Sequence, residues 1–100
     1  MVSVKISKST SKGKKLMAVF TDDNGKKIKT THFGAAGAKD FTLHSPADRD
    51  ARKKAYLIRH RKREDWSKYM TPGSLSRYIL WDKTTRAASI ASYKRRFGLK

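Results

Sequence analysis

Cysteine is absent from the 100-residue chain, so disulfide bonds and thiolate zinc sites are excluded and nothing points to secretion. Long apolar runs are absent too: no stretch approaches the roughly 18–20 residues of a membrane span. The first nine residues, MVSVKISKS, lack the apolar run of a secretory leader. A soluble chain, intracellular or enclosed in a particle, is expected. Acidic residues are scarce, with eight Asp and Glu against 25 Lys and Arg, for a formal charge of +17. That surplus repels itself and opposes compaction unless a counter-charge is present. It therefore points to a polyanionic partner: nucleic acid, an anionic membrane face or acidic protein surfaces.

The scarcity of acid also bears on catalysis. Asp22, Asp23, Asp48, Asp50 and Glu64 already read as turn residues, helix caps or charge partners. Little remains for a metal-dependent nuclease, and no metal site, cofactor or small-molecule substrate is expected. His32, Asp40, His44 and Ser45 supply the residue types of a hydrolytic triad, but such types fall close together often by chance. The His32–His44 spacing matches no familiar metal pattern. No catalytic residue is assigned, and a non-enzymatic protein is expected.

What is present is enough apolar and aromatic material for one small core. The hydrophobic fraction is 37%, and ten aromatic residues are spread along the chain, unlike the composition of disordered segments. One domain, residues 1–100, is expected, with two chemically different halves. Residues 1–44 carry nine lysines against three aspartates, a balance of +6. Residues 45–100 carry sixteen basic residues, nine of them arginine, against five acids, a balance of +11. Arginine grips phosphate or carboxylate through a planar fork, whereas lysine is a flexible point charge. Geometry-specific contacts should therefore concentrate in the second half.

The fold class expected is α+β: an N-terminal three-stranded antiparallel β-meander followed by about three α-helices. In VSVKIS, Val2, Val4 and Ile6 share one face, and in KKLMAVFTD, Leu16, Ala18 and Phe20 do the same, the period-two signature of strands. Asn24-Gly25 is a strong hairpin signal, and KKIKTTHF is the returning strand. Ile28 and Phe33 have opposite parity, so a bulge or change of face is expected between them. FTLH, residues 41–44, could add a fourth strand or lie across the sheet. Residues 8–15 and the extreme termini read as the loosest segments.

Residues 45–100 read as helical. Ser45-Pro46-Ala47-Asp48 is a helix-start signal, with Ser45 as the cap. Ala47, Ala51, Ala55 and Ile58 recur at helical spacing as one apolar stripe. SLSRYILW predicts a short helix capped by Ser74, and TTRAASIASYKRRFG a last helix stopped by Gly98.

The densest charge is Arg59, His60, Arg61, Lys62 and Arg63, closed by Glu64. On a helix these wrap around the axis at about 100° per residue, so at least one must turn toward the domain body and pair or snorkel. Glu64 and Asp65 are the nearest partners. The plain reading is a solvated helix end; the functional one is contact with phosphates. Lys94, Arg95 and Arg96 form a second cluster, either another phosphate patch or cations matched to a helix dipole. Trp66, Tyr69, Tyr78 and Trp81 could stack on exposed bases, but a core this small also needs them, Tyr78 and Trp81 above all. Trp66 joins the two clusters as a candidate site residue. Tyr56-Leu57-Ile58 on one side, and Trp66 with Tyr69 on the other, would pin this basic collar to the domain. GAAGA, residues 34–38, lacks the Gly-Lys-Ser/Thr of a phosphate loop and reads as a close-packed turn.

Three segments, HFGAAGAKDFTLH, RHRKREDWSKYMTPGSLSRYILW and SIASYKRRFG, resemble small basic proteins encoded by large double-stranded DNA viruses of algae and amoebae. The resemblance spans residues 14–98 and is most distinctive from Arg59 to Trp81. It implies a viral setting: a virion, and the host cytoplasm or nucleus during infection. It transfers no activity and no functional residue. Two functions are open: a virion-associated nucleic-acid-binding protein, with DNA the expected partner and little sequence specificity, or a minor, cement-type capsid protein bridging acidic virion proteins or the inner membrane.

Overall fold

The computed structural model describes residues 1–37 and 40–100. Three strands, β1 (Ser3–Lys8), β2 (Lys14–Thr21) and β3 (Lys27–Ala35), form one antiparallel sheet in the order β1-β2-β3. Helix α1 (Arg49–His60) follows, then α2 (Pro72–Leu75), which runs directly into a π-helical turn (Ser76–Leu80), then α3 (Arg86–Phe97). The fold is α+β, a β-meander followed by helices.

Alternation decides which face of the sheet is buried. Leu16, Ala18 and Phe20 of β2 point inward, joined by Val4 of β1 and Phe33 of β3. Leu75, Ile79, Leu80 and Tyr93 close over them from the helical layer. The expected irregularity in β3 falls at Ile28. Phe20 pairs with Lys29 and Thr21 with Lys27, so Ile28 is the extra residue of a bulge. It is left 48% exposed. In the β2–β3 turn the Asp22 carboxylate accepts from the backbone N–H of Asn24 and Lys26, while Gly25 takes φ +80°. Side chain and glycine together make the tight reversal.

Several expectations need correction. Helix α1 begins at Arg49, not at Pro46; Ser45 spends its hydroxyl on Asp48 and does not cap the helix. Residues 41–44 form a turn rather than a strand, held where the Phe41 N–H donates to the Leu80 carbonyl at 2.9 Å. Thr71, not Ser74, caps α2: its hydroxyl accepts from the Ser74 N–H, and Ser74 is buried. The C-terminus is tied down, because Lys100 exchanges two backbone hydrogen bonds with Val2 and Val4 along the open edge of β1. Ser9 likewise fastens the β1–β2 connection, its hydroxyl 2.7 Å from His32 Nδ1. The end of α3 is as expected: Gly98 is left-handed (φ 64°), and the N–H groups of Gly98 and Leu99 both reach the Lys94 carbonyl.

Helix α1 is the largest departure. Ala51 and Ile58 of its apolar stripe are exposed, Ile58 at 57%. The face turned to the body carries Arg49, Lys53, Tyr56 and His60 instead. Those positions are also spaced by four, three and four, so they form a helical stripe of their own. Their long stems and rings bury well while the charged ends find partners. The Arg49 guanidinium and the Lys53 ammonium both lie over the Phe41 ring, at 5.9 and 5.0 Å. Lys53 Nζ also donates to the Asp82 carbonyl at 2.9 Å.

Candidate nucleic-acid interface

The candidate surface centres on the C-terminal end of α1. Of the basic run, Arg59, Arg61, Lys62 and Arg63 are exposed, while His60 turns inward. Its ring stacks on Tyr56 with centroids 4.4 Å apart, and Nδ1 lies 3.3 Å from Glu64 Oε1. Only Arg59 and His60 of the run are helical, Arg61 being the C-cap and Lys62 and Arg63 lying in the turn that follows; His60 is the member that turns inward, and Glu64 is its partner. Asp65 is occupied elsewhere: it accepts from the N–H and hydroxyl of Ser67, which hold its carboxyl below the ordinary value.

Tyr56 is the hinge pin of the arrangement. Its second face stacks on Trp81 at 4.8 Å and 11°, and His44 packs on Trp81 in turn at 5.8 Å. The rings His60, Tyr56, Trp81 and His44 thus form one column that docks α1 on the helical layer. Burial and the nearby Glu64 carboxylate push the Tyr56 hydroxyl well above its ordinary pKa, so it keeps its proton.

On the other side of Glu64 the contacts continue toward α3. Trp66 Nε1 donates to Glu64 Oε2 at 2.7 Å, and the Arg77 guanidinium lies 5.5 Å over the Trp66 ring. Arg77 also lies 5.0 Å from the Tyr78 ring, and Arg96 lies 4.5 Å from the same ring. An unbroken series of ring and charge contacts therefore links the Arg59–Arg63 cluster to the Lys94–Arg96 cluster. Half-buried Trp66 is a bracket in that series. Lys94 is half-buried, and Arg95 and Arg96 are exposed. Of the residues expected to pin the collar, Tyr56, Trp66 and Tyr69 pack inward, Leu57 does so partly, and Ile58 faces out.

Beneath α1 lies a cation pair on a single carboxylate. Asp40 is 2% exposed, and Lys15 Nζ and Arg86 Nη2 approach the same oxygen, Oδ2, at 3.1 and 2.9 Å. Thr42 donates to Oδ1 through both its N–H and its hydroxyl. Burial alone would raise this carboxyl, but the Thr42 hydrogen bonds and the two cations outweigh it, and the net shift is downward. A cleft of about 410 Å³ opens beside this pair, between the β2–β3 end of the sheet, the end of α1 and the π-helical turn.

The hydrolytic residue types do not come together: His32 meets Ser9, His44 meets Trp81, Asp40 is locked by Lys15 and Arg86, and Ser45 meets Asp48. Among the described residues, no three His, Asp or Glu side chains are grouped to hold a metal ion, and no helix is long and apolar enough to cross a membrane. Gly34 and Ala35 are the last two residues of β3, Ala36 and Gly37 turn out of it, and Ala38, the last residue of that motif, lies outside the described residues.

Sequence reasoning placed Tyr56 against the domain but missed the rest of the inward face of α1, and missed Arg77 and Arg86 as internal cations. Only the helical spacing of Arg49, Lys53, Tyr56 and His60 could have signalled the first.

These features define a small α+β domain that turns a dense set of cations outward from one helix end. Residues 4–60, more than half of the chain, match the model of DUF5754, a family of unknown function, and the chain belongs to that family. Neither the curated proteins nor the solved structures include a match.

Proposed function

We propose that the protein is a non-enzymatic polyanion-binding protein, a virion-associated nucleic-acid binder that grips phosphates with little sequence specificity. The supporting observation is how the charges are distributed. Seven of the eight acids are engaged within the chain: Asp22 in its turn, Asp23 with the N-terminus, Asp40, Asp48, Glu64, Asp65 and Asp82. Among the described residues, only Lys15, Arg77 and Arg86 of the lysines and arginines pair with a side-chain carboxylate. The surplus therefore stays on the surface, and Arg59, Arg61, Lys62 and Arg63 concentrate it where a helix end is braced by packed rings. Cations held on a braced helix end lose less freedom when they meet phosphates.

A second reading, a cement-type capsid protein, draws on the outward apolar stripe of α1. Ala51 and Ile58 beside Arg52, Lys54 and Arg59 would suit an acidic protein surface. DNA binding at about 0.15 M salt tests the first reading. Micromolar or tighter affinity, lost on joint replacement of Arg59, Arg61, Lys62 and Arg63 by glutamine, supports it. No measurable DNA binding, with retention in DNA-free particles after high-salt washing, favours the second.

A further inference from the structure

A cleft opens beside His60. Its volume, about 410 Å³, falls within the roughly 300–1,000 Å³ of pockets that take small organic groups. The wall combines apolar surface from Phe33, Leu80 and Trp81 with polar groups from Tyr56, Glu64 and Ser76, and with Lys14, Lys15, Asp40 and His60 at its charged side. Tyr56 is only 5% exposed and both of its ring faces are covered, by His60 and Trp81. What it presents to the cleft is its edge and its hydroxyl. Among the described residues that hydroxyl has no hydrogen-bond partner, and it is not sealed from the cleft. A hydroxyl open to the cleft with no partner in the chain is a donor free to meet an acceptor from a ligand.

The carboxylates on the wall differ in what they offer. Asp40 is saturated by Thr42, Lys15 and Arg86. Glu64 is held in place by Trp66 and His60, with Gly73 directly beside it: a Cβ on Gly73 would sit 2.9 Å from the Glu64 carboxyl carbon. Each carboxylate oxygen can accept more than one hydrogen bond, so Glu64 keeps capacity for a donor. The cleft thus offers one fixed donor, one fixed acceptor and the Ser76 hydroxyl over an apolar floor. Lys14, Lys15 and His60 also line the cleft, opposite the carboxylates Asp40 and Glu64, so its charge is mixed and no single sign is favoured. A flat heterocycle with donors and acceptors on its edge matches it. His60, on the wall, sits within the run of cations Arg59, Arg61, Lys62 and Arg63.

We propose, building on the nucleic-acid reading, that this cleft receives one unpaired nucleobase of a single strand whose phosphates lie on the α1 cations. A base paired in a duplex cannot enter, because its edge is occupied and its stack is closed. The protein therefore prefers single strands or frayed ends, and part of its affinity is independent of salt.

The test compares two probes of equal length and equal phosphate number, a single-stranded DNA 10-mer and its fully abasic counterpart, by fluorescence anisotropy at several salt concentrations. The proposal expects the intact strand to bind about tenfold more tightly, a gap of the size that one or two hydrogen bonds with some apolar burial supply, and the gap to persist as salt rises. Tyr56→Phe keeps the ring column and removes only the hydroxyl, and it should shrink the gap several-fold. Ala35→Leu, at an exposed residue on the cleft wall, should abolish the gap while leaving affinity for the abasic chain unchanged. Equal binding of both probes with a steep salt dependence overturns the base site and leaves phosphate binding standing. Failure of both probes to bind overturns the nucleic-acid reading and the base site with it.

Discussion

At the scale of single residues, Asp40 is where charge most affects stability. It is buried and serves two cations at once, so removing its charge leaves Lys15 and Arg86 facing each other. Breaking a buried pair this way typically costs about 3–5 kcal/mol. Arg86 is about one-third exposed and partly relieved by water, so Asp40→Asn should cost about 2–4 kcal/mol in urea unfolding at pH 7. The pH dependence follows from the lowered carboxyl. A depressed folded pKa contributes stability that is fully present above the unfolded value, about 3.9, and is lost as pH falls through the folded value. The gap between wild type and Asp40→Asn should therefore be constant at neutral pH and shrink below about pH 4. A gap that stays flat down to pH 2 would contradict the ion-pair account. Gly34 is a second single-residue test. Its φ is +79°, and an added Cβ would lie 2.9 Å from Leu80 Cδ1 and 3.2 Å from Lys15 Cβ. Gly34→Ala should destabilise by about 1–3 kcal/mol, through both the left-handed backbone and the close approach to Leu80. A lowering of Tm would report it.

At the scale of elements, α1 stands apart from the rest. The sheet is held by its own ladders and by the common core, while α1 buries one residue, Tyr56. Replacing Tyr56 by alanine removes the middle of the column between His60 and Trp81. The α1 amides should then exchange at least about tenfold faster, while amides of β2 and β3 keep their protection. Equal loss in both would show that α1 is integral to the core.

The same contrast separates what the sequence made legible from what it did not. Leu16, Ala18 and Phe20 share a face because strand geometry leaves no alternative, and Asn24-Gly25 can turn in few other ways. The parity break in β3 was equally readable, and it resolves as the bulge at Ile28. The inward face of α1 was not readable. Hydrophobicity picked out Ala51 and Ile58, but the body offers Trp81 and Phe41, flat rings that take cations and another ring more readily than an alanine stripe. Trp81 lies 25 positions after Tyr56 in the chain, and local periodicity carries no information about such a partner. The exposed cations were legible from density alone. The cleft was not, because it is assembled from β2, β3, the end of α1 and a π-helical turn that has no sequence signature.

At the scale of the whole molecule, a charge of +17 governs behaviour. With most of the few acids engaged within the chain, the surplus cations lack counter-charges and repel one another, and the free protein should be more stable when a polyanion is added. Adding short DNA should raise Tm, and added salt should remove that increment as it screens the contacts. The most direct measurement is the slope of log affinity for DNA against log salt concentration, for the wild type and for the variant with Arg59, Arg61, Lys62 and Arg63 replaced by glutamine. If these four side chains each hold a phosphate, the variant's slope should be shallower by about three, with affinity lower at every salt concentration. An unchanged slope and unchanged affinity would show that the α1 cations do not touch the nucleic acid, and the account would be wrong.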